Sequence, residues 1–376
     1  MANEIKKLSG RLITIDFLRG IASLGVVIHH AFGSPIWLLP AAITGSTIIN
    51  QLLLLIPAFG FSGVYLFFVI SGFCIHLRWV KAQSGGDTKP LEFIPFWKRR
   101  IRRLYPAYLV ALVLYIAFEV YWGKLQFTSF FVYDLISHIF MLHNLDSRTV
   151  YSFNKVFWTL AVEEQLYLAY FLLIWLRKKY GWLVTLAITL LVRVAWFGAA
   201  YVAIKAFGLA VPITEYAFAT WCVWALGAVS IEAAYGLIKL PKIFSSPIAA
   251  VAVLLITAVV CAIGWATPSS IVGRTSLFVT QPLFGLGFFI MVNYVVSLES
   301  KIKNWYGTIV RFFAWIGLFS YSLYLTHELL ITYLKINPFI LIPICIIFAW
   351  TYYLCFEKPF MNKKRVQSVS GLAAPG

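Results

Sequence analysis

The sequence predicts an all-α integral membrane protein, about ten transmembrane helices in one bundle with both termini cytoplasmic. Three observations carry this. The 376 residues are 61% hydrophobic and only 12% charged, where a soluble domain carries about 25% charged residues. Apolar segments near the ~20 residues that a spanning helix needs follow one another along the chain. Of the 31 Lys and Arg, 23 fall between spans on one side, six on the other and two within spans. That alternation is the positive-inside bias, and it supports an even number of spans.

The spans are placed roughly at 13–33, 52–77, 105–122, 156–176, 182–202, 213–235, 247–266, 277–297, 312–332 and 336–356. Lipid cannot satisfy exposed backbone groups, so these segments are read as helices. Residues 1–12 are a cytoplasmic N-terminus, 13–360 one membrane domain and 361–376 a flexible cytoplasmic tail. The N-terminal Glu4, Lys6 and Lys7 precede no cleavable signal, so the first span is read as an uncleaved anchor. The outer segment 123–155 contains an apolar run at helical spacing, Phe127–Leu142, broken by Asp134 and His138. It reads as an amphipathic helix on the outer surface or folded over the bundle.

The net charge of +17 follows from the loop cations and does not point to nucleic acid. Cys74, Cys222, Cys261, Cys345 and Cys355 lie in or beside apolar segments without a close C-x-x-C pair. Neither a disulfide framework nor a metal site is expected.

Ionisable groups inside a span are costly and mark function by default. The first span carries Asp16, Arg19, Ser23, Val26 and His30 on one helical stripe. Asp16 and Arg19 are three apart and can pair. Arg19 and His30 are about 16 Å apart along the axis and face the same way, while His29 points about 100° elsewhere. An arginine at the inner mouth suits a phosphate-like anion, and a histidine deeper in suits proton abstraction from a hydroxyl. The same stripe equally fits a helix-packing clamp.

Lys98, Arg99, Arg100, Arg102 and Arg103 precede the third span. Such a cluster binds lipid headgroups or the phosphates of a cytoplasmic nucleotide, with Arg100 and Arg103 on one face. Ser71 and Gly72 put small residues into the aromatic run of the second span, which lets a helix or a ligand approach. Glu163, Glu164 and Gln165 lie inside the fourth span. One acid is expected to face the interior of His30 and fix its tautomer, or else to neutralise Arg19 or Arg193. His327 and Glu328, late in the ninth span, fit an acceptor entrance or an interfacial span end. Phe356-Glu-Lys-Pro-Phe360 reads as a helix stop.

Six runs in order resemble the acyltransferase-3 family of polytopic membrane acyltransferases. They are Asp16-Phe-Leu-Arg-Gly-Ile-Ala22 with His30, Phe67–Phe73, Arg99–Pro106, Trp158–Glu163 with Tyr167, Ser320–His327 and Glu357–Phe360. The usual proline after the ninth-span histidine is replaced by Glu328. The resemblance implies acyl transfer, commonly acetyl from acetyl-CoA, to a hydroxyl of a glycan or lipid-linked glycan. It gives His30 the role of the essential histidine and Glu163 that of the acid after the fourth-span tryptophan. Arg19, Arg100 and Arg103 take the roles of the essential arginines, with Arg99 and Ser71 completing the donor site and Asp16 holding Arg19. Membrane lipids are the expected surroundings and no metal is expected. An exporter of acylated or lipid-linked sugars, or a non-catalytic scaffold, shares the spans but not the need for His30.

Overall fold

The computed structural model describes residues 12–33, 57–86, 91–268, 270–299 and 307–361. Expectations for the N-terminus, for the start of the second span and for the tail beyond Met361 lie outside the described residues. Among the described residues every regular element is helical. In chain order these are α1 (Ile13–Ala31), α2 (Gly63–Ser84), α3 (Phe93–Tyr121), α4 (Ser129–Ile139), α5 (Trp158–Phe207) and α6 (Ala217–Ala234). Then come α7 (Pro247–Ala266), α8 (Ile271–Ser297), α9 (Thr308–Leu318), α10 (Ser320–Tyr333) and α11 (Pro338–Tyr352). Among the described residues eight helices are long and apolar enough to cross a membrane, or nine if α9 and α10 form one bent span. The 50-residue α5 is interrupted at Gly181, whose φ of 77° is the left-handed region that glycine tolerates. The break falls at the basic Arg177-Lys-Lys179 turn that the sequence places between two spans.

The chain divides into two compact units, one of Met1–Glu92 with Leu226–Gly376, the other of Phe93–Ala225. In the first, α1 packs against α2, α9, α10 and α11. Apolar contact gains little over lipid tails, so close backbone approach supplies the attraction. A Cβ on Gly20 would strike the Phe313 carbonyl, and one on Gly317 would strike the Asp16 carbonyl. On the α2 side, a Cβ on Gly63 would meet the Ala22 carbonyl. The α1 N-terminus has no cap from its own segment. The Glu299 carboxylate caps it instead, accepting from the backbone N–H groups of Ile13 at 3.1 Å and Thr14 at 3.0 Å. A negative charge there also suits the helix dipole.

The segment read as the ninth span forms two helices, α9 and α10, which meet at 76°. Phe319 stands between them, two residues after Gly317. The Ser320 hydroxyl donates to the Gly317 carbonyl at 3.1 Å and so occupies a group that the break releases. Phe319, Leu323, Leu341, Cys345 and Tyr353 then close a buried core with Val27 of α1. The Glu357 stop sequence is also a lock, since its carboxylate accepts the Ser322 hydroxyl at 2.7 Å.

In the second unit the expected amphipathic helix forms as α4, with Thr128 capping the Phe131 N–H. Its polar residues Asp134, Ser137 and His138 are buried, while Phe130, Val132, Tyr133 and Ile136 are exposed. An apolar outer face suits a helix seated in the bilayer interface. Inside, Asp134 sits 3.1 Å from His138 Nδ1 and accepts the Ser152 hydroxyl. His138 stacks on His143 at 3.9 Å. Burial, with His138 beside it, pushes His143 well below the ordinary histidine range.

Gly317→Ala should lower thermal stability by about 1–3 kcal/mol, because a backbone carbonyl rather than a side chain must move. Gly198→Ala, where an added Cβ meets nothing within 4 Å, should be neutral or stabilising. Thermal unfolding in lipid nanodiscs measures both. A second expectation concerns the outer segment, where hydrogen bonds from Arg148 hold Asp146 at about 2, below its usual 3.8. A depressed carboxyl stabilises while ionised, so this bridge should be intact above pH 3.8 and fail as pH falls through about 2. Carbon-13 titration of Asp146 reads the midpoint directly.

Candidate active site

The polar stripe of α1 is present as the spacing requires. Asp16 is buried and lies 3.7 Å from the Arg19 guanidinium, which is 16% exposed. Arg19 also donates to Cys74 Sγ of α2 at 3.3 Å. Ser71 is buried one helical turn before Cys74, on the same side of α2. Ser23 bonds back to the Gly20 carbonyl, so its hydroxyl serves its own helix. His29 diverges as expected, with its Nδ1 2.7 Å from the Pro57 carbonyl.

His30 is the accessible end of a three-residue group. Its side chain is 24% exposed, and its Nδ1 lies 3.0 Å from His327 Nε2 and 3.7 Å from a Glu328 oxygen. His327 is fully enclosed, and its Nδ1 lies 3.0 Å from the Leu323 carbonyl one turn back. His327 is thus enclosed against α1 rather than open at a span end. Each of His30, His327 and Glu328 offers an atom within 4.8 Å of the others, a set of the kind that can hold a metal ion.

The second unit gathers the basic cluster and the fourth-span acids. Arg99 and Arg102 are exposed, while Arg100 and Arg103 are half-buried on one face of α3. The Arg100 guanidinium stands 5.6 Å from the Phe96 ring and 5.4 Å from the Tyr167 ring. Tyr167 in turn donates to Glu163 at 2.6 Å. The Arg100 guanidinium is thus flanked by two aromatic rings, a setting that arginine favours. Gln165 pairs with Asn144, which also donates to the Glu215 carbonyl at 2.9 Å. Arg193 is fully buried, donates to the Ala219 carbonyl and lies over the Phe197 ring. Glu163 and His30 belong to different units.

The family model of the acyltransferase domain matches residues 12–360. The chain belongs to the acyltransferase-3 family. As a member of the acyltransferase-3 family with many long apolar helices, it is a multi-pass membrane protein. It is similar to an O-acetyltransferase, OatA, of Staphylococcus aureus, 31% identical over 169 residues, which are 43% of this chain and 24% of that protein. It is also similar to the peptidoglycan O-acetyltransferase OatA of Listeria monocytogenes, 32% identical over 179 residues, which are 44% of this chain and 24% of that protein. The matched stretch thus spans about a quarter of each relative's length. No solved structure matches the chain significantly.

Sequence reasoning missed the His30–His327 contact and the buried pair His76–Glu232, whose atoms lie 3.0 Å apart. For the second pair a signal existed, since both residues are ionisable within apolar spans. Thr14 and Glu299 were missed for want of any local pattern.

Proposed function

We propose that this protein is a membrane-embedded O-acyltransferase. It moves an acetyl group from cytoplasmic acetyl-CoA to a hydroxyl of a cell-surface glycan or its lipid-linked precursor. The observation that carries the reading is His30. It is an accessible imidazole bound to His327 and Glu328, on the same helix as the Asp16–Arg19 pair, in a chain of the acyltransferase-3 family. The peptidoglycan activity in the name of the Listeria relative supports the acceptor class.

The chemistry follows from the residue types. Arg100, Arg103 and Arg99 bind the CoA phosphates, where paired guanidinium forks give charge-assisted bonds. Arg19, held by Asp16, draws the donor inward past Ser71. His30 takes the acceptor's hydroxyl proton as the oxygen attacks the thioester carbonyl, and the proton then passes to the departing thiolate. Glu163 accepts from Tyr167, over whose ring the Arg100 guanidinium lies. Ten spans result when α5 is divided at Gly181 and the α9–α10 pair is one span. With 23 loop cations against six, both termini then face the cytoplasm of a bacterial inner membrane.

In cells making equal amounts of protein, His30→Ala should abolish the alkali-labile acyl esters that the intact chain adds to envelope glycans. Mass spectrometry of released acyl groups measures this, and equal ester content in the two strains would remove His30 and the enzyme reading together. Arg100→Ala should raise KM for acetyl-CoA by about tenfold or more, as loss of one charge-assisted contact worth ~1.5–3 kcal/mol implies. An exporter would show altered flux without new ester.

A further inference from the structure

We propose that His327 is a positioning residue that holds His30 in the tautomer whose unprotonated nitrogen is Nε2, with Glu328 as the charge that steadies the imidazolium. This rests on the reading of His30 as general base. Glu163 lies in the other unit; in its own unit His30 meets His327 at 3.0 Å and Glu328 at 3.7 Å, with the His29 ring 5.3 Å away.

The chain of donors starts at a group that can only accept. The Leu323 carbonyl lies 3.0 Å from His327 Nδ1, so that nitrogen carries the proton. In neutral His327 the other nitrogen, Nε2, is then an acceptor. It faces His30 Nδ1 at 3.0 Å, so His30 Nδ1 is the donor and His30 Nε2 holds the lone pair. The opposite sense needs a second proton on His327, whose side chain is fully enclosed. An enclosed charge costs several kcal/mol.

The ring geometry decides between a hydrogen bond and other contacts. The two imidazoles are tilted by only 9° with centroids 5.2 Å apart, and their facing nitrogens are 3.0 Å apart. The two ring radii account for the difference, so the nitrogens lie on the line between the centroids. The rings therefore meet edge to edge, lone pair against N–H, and are not face-stacked. The 3.0 Å separation is that of an N–H···N hydrogen bond.

The reaction then balances as follows. The acceptor O–H bond breaks, its proton goes to His30 Nε2, and the oxygen forms the ester bond with the acetyl carbon. The carbon–sulfur bond breaks, and the thiolate takes the proton from Nε2 to leave as free CoA. Throughout, His30 keeps its Nδ1–H on His327, and the Glu328 oxygen 3.7 Å away balances the positive ring. His327 thus does what a buried carboxylate does in a hydrolase triad, fixing orientation and tautomer.

Two measurements test this on the full chain in lipid nanodiscs or native membranes. Nitrogen-15 spectra of histidine-labelled protein, with six histidines in all, report each tautomer, and His30 is assigned by its loss in His30→Ala. We expect His30 protonated at Nδ1 in the intact protein and a mixture of tautomers in His327→Leu. His30 protonated at Nε2 in the intact protein would overturn the proposal, whatever the activity proves to be. The second measurement is transfer of radiolabelled acetyl from acetyl-CoA into alkali-labile membrane material. His327→Leu should lose about 100-fold or more. His327→Gln, which keeps an acceptor near the Nε2 position, should stay within about tenfold of the intact rate, and KM for acetyl-CoA should hold in both. Full activity in His327→Leu, or equal loss in both variants at normal membrane abundance, would overturn the positioning role. Transfer absent from the intact protein, or undiminished in His30→Ala, would instead defeat the acyltransferase reading.

Discussion

Lipid offers no hydrogen bonds, and the described residues are arranged around that constraint. A polar group in a span must find its partner inside the protein or face a cavity. The α1 helix shows how the constraint is met. Its free N–H groups receive the Glu299 carboxylate, its Ser23 hydroxyl returns to Gly20, and its Arg19 reaches Asp16 and Cys74. Attraction between helices must then come from fit. Glycines at 20, 63 and 317 bring backbones to contact, and this closeness sets the depth at which His30 meets α10. The site depends on the glycines as much as on the imidazole.

The polar stripe of α1 was legible in the sequence because it needs only helical periodicity within one segment. Arg100 and Arg103 were legible for the same reason, as was the turn at Gly181, marked by three cations and a glycine. The His30–His327 contact was not legible. It joins residues 297 positions apart across the bend between α9 and α10. The bend follows from tertiary packing, with Phe319 buried among Trp315, Trp350 and Tyr353. The Glu299 cap was hidden likewise, because its partner is 285 residues away. In α4 the periodicity was legible but the facing was not. Apolar outward and polar inward is sensible only where the outside is partly lipid.

The two histidines at the centre differ in what surrounds them, and that difference assigns their work. His30 is 24% exposed, so a hydroxyl can reach it. His327 has no exposed surface, and both of its nitrogens are occupied, by Leu323 and by His30. An enclosed imidazole with both nitrogens engaged cannot meet a substrate; it can only orient what it touches. The backbone carbonyl at the far end fixes the sense of the whole row, because it has no proton to give. Glu328 adds charge at 3.7 Å from His30 Nδ1, near enough to favour a positive ring and too far to draw the His30 Nδ1–H away from His327. A base built in this way has its lone pair aimed before any substrate arrives, and the α9–α10 bend is the feature of the fold that makes this possible.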